Sequence, residues 1–279
     1  LSSGGQPGWV QQYGPWAVVA GGSEGVGAEF AFQLADAGIN LVLVARKPDP
    51  LRDTADRCRT RGVRVRELAV DLTAADAVAR IGEATSDVEV GLLIYNAGAN
   101  THSTQFLDGD LAAFERVLDL NVRTPLALIH QFGKPMRIRR RGGLLLVGSL
   151  TGYLGSARQT VYGGVKAFSR IYAEGLWLEL RDYNVHVLEL VLGVTRTPAM
   201  ARAGLNFDLP GLRVSDPADV AREGLEQLPR GPVHVISAHA DSPAVHAITD
   251  RAEAVLASHR LMQKLLATAP RASDAPPAG

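Results

Sequence analysis

The sequence predicts a single α/β domain: a doubly wound parallel sheet of seven strands with helices on both faces. Three observations lead there. Short apolar runs alternate with segments of helical periodicity along the chain. A glycine-rich turn joins the first of these runs to the first helical segment. The composition, 46% hydrophobic and 21% charged over 279 residues with no internal repeat, suits one sizeable core. The expected domain spans 14–267. Tails at 1–13 and 268–279, where Gly, Ser, Pro and Ala collect, are expected to fray.

Trp16–Ala20 is the first strand, a short apolar run buried on both faces. Gly21–Gly27 then turns into a helix over Ala28–Ala37. Strand, glycine turn and helix together form a phosphate site, because glycines admit a pyrophosphate to the backbone and a helix start offers unpaired N–H groups. Gly21, Ser23, Glu24, Gly25, Val26 and Gly27 are its expected contacts; a plain flexible turn is the alternative. The second strand, Leu41–Ala45, ends in Arg46 and Lys47 with no carboxylate before Asp49. An acidic residue there favours NAD and an arginine favours NADP, so Arg46 points to NADP, with NAD possible.

A helix over Leu51–Thr60 leads to the third strand, Val63–Val70, and then to a surface helix over Thr73–Ser86 with Thr73 as its cap. The fourth strand, Gly91–Tyr95, runs into Asn96, Ala97 and Gly98, where parallel sheets hold ligands. Leu111–Phe132 has helical spacing. Asn121 interrupts its apolar face, as a solvated position or as part of a site, and Pro125 must distort the helix locally. The basic run Arg137–Arg141 reads as a solvated helix end.

The fifth strand, Leu144–Val147, delivers Ser149. Tyr162 and Lys166 follow on a helix to about Asp182, four residues apart and therefore on one face. A free tyrosine titrates near ~10, and a neighbouring ammonium favours the phenolate, so the pair suits a general acid–base. Ser149 can hydrogen-bond the oxygen on which charge builds. The motif alone is short, and an ordinary surface tyrosine and lysine fit it too. Gly163 and Gly164 cost a helix about 1 kcal/mol each, which implies a close neighbour, either cofactor or second subunit. The sixth strand is Val185–Val191. A lid is expected over 197–214, a helix over Asp216–Leu228, a seventh strand over Val233–Ser237 and a terminal helix over Val245–Leu266.

Composition removes several function classes. Basic and acidic residues balance at 29 each, so no nucleic-acid surface is expected. The single cysteine, Cys58, excludes an intrachain disulfide and reads as a bystander. The seven histidines show no metal-ligand spacing, so no metal is expected; His102 reads as a solvated loop residue or as a lining of the substrate mouth. Without a signal peptide or membrane span, a cytoplasmic location is expected.

Taken together, Gly21-x3-Gly25-x-Gly27, Asp71, Asn96-Ala97-Gly98, Asn121, Ser149 and Tyr162-x3-Lys166 resemble the short-chain dehydrogenase/reductase family, over roughly Pro15–Ala238. The resemblance implies a Rossmann-type fold and an NADP(H)- or NAD-dependent exchange of a ketone with a secondary alcohol. It implies Tyr162 as proton carrier and Lys166 as its activator and ribose contact. Ser149 would orient the carbonyl and Asn121 would anchor a water. It also implies cofactor contacts from Asp71 and Leu72 at adenine, from Asn96, Ala97 and Gly98, and from Gly193, Thr195 and Thr197 at the nicotinamide end.

Some positions depart from the family. Ala20 stands where a threonine is usual, Leu192 replaces a proline, and Glu24 stands where NADP users often carry a cation. The SEGVG, VLVAR and YGGVKAF segments look most like the branch containing hydroxysteroid dehydrogenases and long-chain ketoacyl reductases, hence a lipophilic substrate. The family's habits imply a homodimer or homotetramer. A catalytically idle dinucleotide sensor is the competing class, although Asn121, Ser149, Tyr162 and Lys166 are all present.

Overall fold

The structure, a computed structural model, describes residues 7–202, 206–208, 210–242, 245, 253 and 256. Seven parallel strands form one sheet: β1 (Trp16–Ala20), β2 (Asn40–Ala45), β3 (Val65–Ala69), β4 (Val90–Tyr95), β5 (Gly142–Ser149), β6 (Val185–Leu192) and β7 (Val233–Val235). Their spatial order is β3-β2-β1-β4-β5-β6-β7, every pairing parallel. The order in which strands are added reverses between β1 and β4, which opens a crevice at the carboxyl ends of those two strands.

Alternation explains why the central strands read as unbroken apolar runs. Ala17 and Val19 of β1 face one core, with Phe30, Leu34 and Leu225. Trp16, Val18 and Ala20 face the other, with Ile81, Leu128 and Met136. Helices cover both faces, so neither side of a strand tolerates polarity. The first layer holds α2 (Gly25–Asp36), α3 (Pro48–Arg59) and α9 (Pro217–Gln227), started by the Asp216 carboxylate accepting from Ala218 N at 2.8 Å. The second holds α4 (Ala77–Ala84), α6 (Thr124–Arg139) and α7 (Thr160–Leu180). Among the described residues no helix is long and apolar enough to cross a membrane.

Four expectations change. Residues 7–13 do not fray: Pro7–Tyr13 is a helix, α1, with Trp9 and Tyr13 buried. Tyr13 Oη lies 2.6 Å from His186 Nδ1, and Gln12 Nε2 donates to Asn184 O at 2.9 Å, so α1 closes the amino end of the sheet. Thr73 caps no helix. Its amide and hydroxyl both donate to Asp71 Oδ1, at 3.0 and 2.8 Å, in a turn that delays α4 to Ala77.

The long helix expected over Leu111–Phe132 is two helices, α5 (Leu111–Leu118) and α6, separated by a wide π turn at Asp119–Arg123. Pro125 has no N–H to offer Asn121, and Asn121 Nδ2 itself takes the Val117 carbonyl at 2.9 Å. Finally, the basic run is not simply solvated: Arg139 donates to Val90 O and Arg141 to Glu89, fastening the end of α6 to the start of β4. The expected terminal helix over 245–266 and the tail 268–279 fall outside the described residues, apart from single positions.

Replacing Tyr13 with Ala removes a buried aromatic from the sheet end. The expected cost is about 3 kcal/mol, read as a lowered denaturant midpoint in chemical unfolding. An unchanged midpoint would mean that α1 is ornamental.

Candidate functional site

The crevice floor is the glycine turn. Gly21 N and Gly22 N both donate to Val44 O, at 2.7 and 3.2 Å, and Gly21 has φ +84°, so the chain leaves β1 sharply. Gly27 lies against Gly21: a Cβ there would stand 1.9 Å from Gly21 O. Asn96 Nδ2 donates to the same carbonyl at 2.9 Å, tying the end of β4 to the turn. No side chain caps the start of α2, so its first amides face the crevice. Val26 is buried beneath, and Ser23 O accepts from Thr54 Oγ1 at 3.0 Å.

Parallel pairing gathers the remaining predicted contacts at the same carboxyl edge. Arg46 is exposed after β2. Asp71 follows β3. Burial raises its carboxyl, but the Thr73 hydrogen bonds and the Arg46 charge outweigh that and hold it below the usual value. Leu72 is buried, and its carbonyl accepts from Thr124 Oγ1 at 2.6 Å, which docks the start of α6. Asn96 N and Ala97 N share the Ala20 carbonyl at 2.9 and 2.8 Å.

At the other side of the crevice, Lys166 is the central group. The residue is 6% exposed; its ammonium donates to Val147 O at 2.9 Å and lies 5.6 Å from the Tyr162 ring centroid. Gly98 packs between two predicted residues: a Cβ there would stand 2.7 Å from Lys166 Nζ and 2.8 Å from Asn121 Oδ1. Asn121 is buried and its Oδ1 has no partner, an acceptor aimed at the space by the ammonium. Ser149 ends β5. Its Oγ accepts from Thr151 Oγ1 at 2.9 Å and Thr151 N at 3.3 Å, which leaves its own hydrogen to donate.

The nicotinamide-end expectations divide. Thr195 is 2% exposed and its hydroxyl turns onto Gly193 O at 3.3 Å, so it braces the loop from within instead of facing the crevice. Thr197 packs its methyl over Gly25, where a Cβ would stand 3.0 Å away, and its Oγ1 accepts from Met200 N at 3.2 Å to start α8 (Pro198–Arg202). Gly163 and Gly164 also divide. A Cβ on Gly163 would stand 3.0 Å from Thr151 O and one on Gly164 would meet nothing within 4 Å, and both border a cavity of about 480 Å³ along the loop 151–157. That cavity abuts the face of α7 next to the one bearing Tyr162.

Three features escaped the sequence reading, and the contacts of a fourth residue, His102, did too. Arg202 pairs with both carboxylate oxygens of Glu24, one at 3.0 Å. The His239 ring sits against Gly193, where a Cβ would stand 2.5 Å from Nε2. The His102 ring is held in its loop: its Nε2 accepts from Asp110 N at 3.3 Å and its ring packs edge-on against Phe114. Glu189 is buried within β6. Only Glu189 left a signal, as one carboxylate inside an apolar run.

Gly27→Ala tests the cradle. It forces the Gly21 carbonyl aside and breaks the Asn96 bond, so unfolding stability should fall by about 1–3 kcal/mol. A variant as stable as wild type would show that the close approach is not a constraint.

A model of the short chain dehydrogenase family matches residues 15–206. The 7beta-hydroxysteroid dehydrogenase of Clostridium sardiniense is 32% identical over 219 residues, 78% of this chain and 84% of that protein. The very-long-chain 3-oxoacyl-CoA reductase of Laccaria bicolor is 34% identical over 181 residues, 63% of this chain and 54% of the relative, so the match spans about half of that protein. The structure of a short-chain dehydrogenase from Sphingobium yanoikuyae in complex with NADPH aligns with TM-score 0.75 at 29% identity, covering 94% of this chain and 98% of its own. The structure described for 7beta-hydroxysteroid dehydrogenase stereoselectivity aligns with TM-score 0.75 at 27% identity, covering 81% and 88%. The chain therefore belongs to the short chain dehydrogenase family and is an oxidoreductase of hydroxyl and keto groups.

Proposed function

We propose that this chain interconverts a ketone and a secondary alcohol on a bulky lipophilic substrate, with NADP(H) as cofactor and Tyr162 as the proton carrier. The observation that carries this reading is the buried Lys166 ammonium beside the Tyr162 ring, held by Val147 O and set against Gly98 and Asn121. The ammonium stands beside the phenol that would carry the proton, and Ser149 has a hydrogen free for the substrate oxygen.

The residues present fit a nicotinamide dinucleotide. The glycine cradle is one that a single Cβ at Gly27 would fill, and the uncapped start of α2 suits a pyrophosphate. Gly21, Ser23, Gly25 and Val26 would line the phosphates, with Asp71 and Leu72 towards adenine. Asn96, Ala97 and Gly98 would support the ribose, and Gly193 and Thr197 the nicotinamide. When bound, the cofactor supplies or accepts the hydride; the chain orients it and moves the proton at Tyr162 Oη.

Two observations support NADP. Arg46 is exposed at the end of β2, free to meet a 2′-phosphate. Glu24, whose charge would repel that phosphate, is already paired with Arg202. The relative structure named with NADPH supports the same choice. The lipophilic substrate is supported by relatives named for hydroxysteroids and very-long-chain 3-oxoacyl-CoA. A homodimer or homotetramer through the long helices is supported by exposed Leu118, Ile138, Phe168 and Ile171 on α5, α6 and α7.

Tyr162→Phe should lower turnover about 10²–10⁴-fold while NADPH still binds, as read by cofactor fluorescence beside steady-state rates on lipophilic ketones. A variant that keeps the wild-type rate sinks the assignment. Arg46→Asp should weaken NADPH about 10- to 100-fold and leave NADH less affected, the scale of one charge-assisted hydrogen bond. Wild-type protein that binds NADH more tightly than NADPH would contradict the cofactor choice.

A further inference from the structure

We infer that Glu189 is a positioning residue for Lys166, its buried carboxyl lodged beneath the β5 end and setting how strongly the ammonium bears on Tyr162. The inference rests on reading Tyr162 and Lys166 as the acid–base pair. Three consecutive residues of β5 carry the argument. Val147 gives its carbonyl to Lys166 Nζ at 2.9 Å. Gly148 receives the Glu189 carboxyl so closely that a Cβ there would stand 2.1 Å from Oε1. Ser149 presents the hydroxyl.

The carboxyl is thus packed under the tripeptide that holds both the ammonium and the serine. Glu189 is 1% exposed; Oε2 accepts from Ser169 Oγ at 2.8 Å, and Oε1 has no hydrogen-bond partner. A position between apolar neighbours in a strand paired on both sides is a costly place for a carboxylate without a role.

The charged groups that act on it, Lys166, Arg170 and Glu174, all come from α7. β5 contributes no charged side chain, and the one ionisable group of β7, His234, turns to Glu223 on α9. Burial raises the carboxyl, Lys166, the Ser169 hydrogen bond and Arg170 draw it down and Glu174 pushes it up again, and the net is a value raised to about 7. Its charge therefore changes near neutral pH. Ionised, it offsets the field of Lys166 at Tyr162; protonated, it leaves that field whole.

Glu189→Gln keeps the shape and removes the charge. With a lipophilic secondary alcohol and NADP⁺, the rising limb of kcat/KM against pH should move down by about half a unit or more, with cofactor affinity unchanged. Ser169→Ala, which takes away a bond to the ionised form, should move the limb the same way by less. A second readout needs no turnover. A folded-state value above the unfolded one means that the folded protein holds the extra proton, so stability falls as pH rises from about 4.5 to about 7. Wild type should therefore lose stability relative to Glu189→Gln across that window.

A limb that vanishes in Tyr162→Phe but stays put in both Glu189→Gln and Ser169→Ala overturns this inference alone. A limb that survives Tyr162→Phe overturns the acid–base reading and this inference with it. Parallel stability curves for wild type and Glu189→Gln likewise overturn it.

Discussion

A buried ammonium is the constraint on which the rest of the site depends. Lys166 is 6% exposed, and a cation out of water is tolerated only where fixed acceptors replace its hydration. Val147 O is one such acceptor, supplied by β5 because this carbonyl lies beyond the pairing of β5 with β4, which ends at Leu146. The π turn aims Asn121 Oδ1 at the same space, and Gly98 must remain a glycine for ammonium and amide to approach from opposite sides. Four elements thus meet at one charge: the end of β4, the break between α5 and α6, the end of β5 and the second turn of α7. Displacing any of them leaves a cation without its acceptors, a penalty larger than the loss of a single hydrogen bond.

Most of the sheet was legible in the sequence, because strand identity follows from local apolar runs between helical segments. All seven expected strands are present, with ends shifted by a residue or two. The glycine turn was legible for the same reason: it begins at the residue after β1 and opens directly into α2. Pro125 announced a distortion, but that the Asn121 side chain takes the Val117 carbonyl is a three-dimensional fact.

What stayed hidden depends on distant partners. α1 reads as a polar tail because Gln12 finds Asn184 only in the folded chain, 172 positions away. Glu24 looked like an obstacle to a phosphate because Arg202 stands 178 positions further on. The Gly193 contact with His239 leaves no local trace either. Thr195 misled for a different reason. The family resemblance implied a cofactor contact there, while in the fold its parallel bridge to Ser215 and its own hydroxyl bond to Gly193 O hold it inward.

The two halves of the crevice are built to different standards. The glycine turn, Asn96 and Ala97 are fixed by backbone bonds to strands that are buried on both faces, so the cradle is rigid before any ligand arrives. The α8 side is held by Thr197 against Gly25 and by the exposed pair of Arg202 with Glu24. Exposed ion pairs are weak and screened by salt, so this side opens more easily than the other. For the lipophilic substrate proposed above, one fixed wall would keep orientation where chemistry occurs while the lightly fastened wall gives room.

The exchange between Gly148 and Glu189 shows how far that rigidity reaches. Parallel strands buried on both faces normally exclude a carboxylate, and the volume for this one exists only because its neighbour on β5 has no side chain. The cavity that a glycine would leave in a sheet is thereby filled by a group that can carry charge. Apolar filler would give better packing at lower desolvation cost. A carboxyl there gains little for the fold, and what it adds is electrostatic: a charge that changes near neutral pH, behind the ammonium on which the site turns.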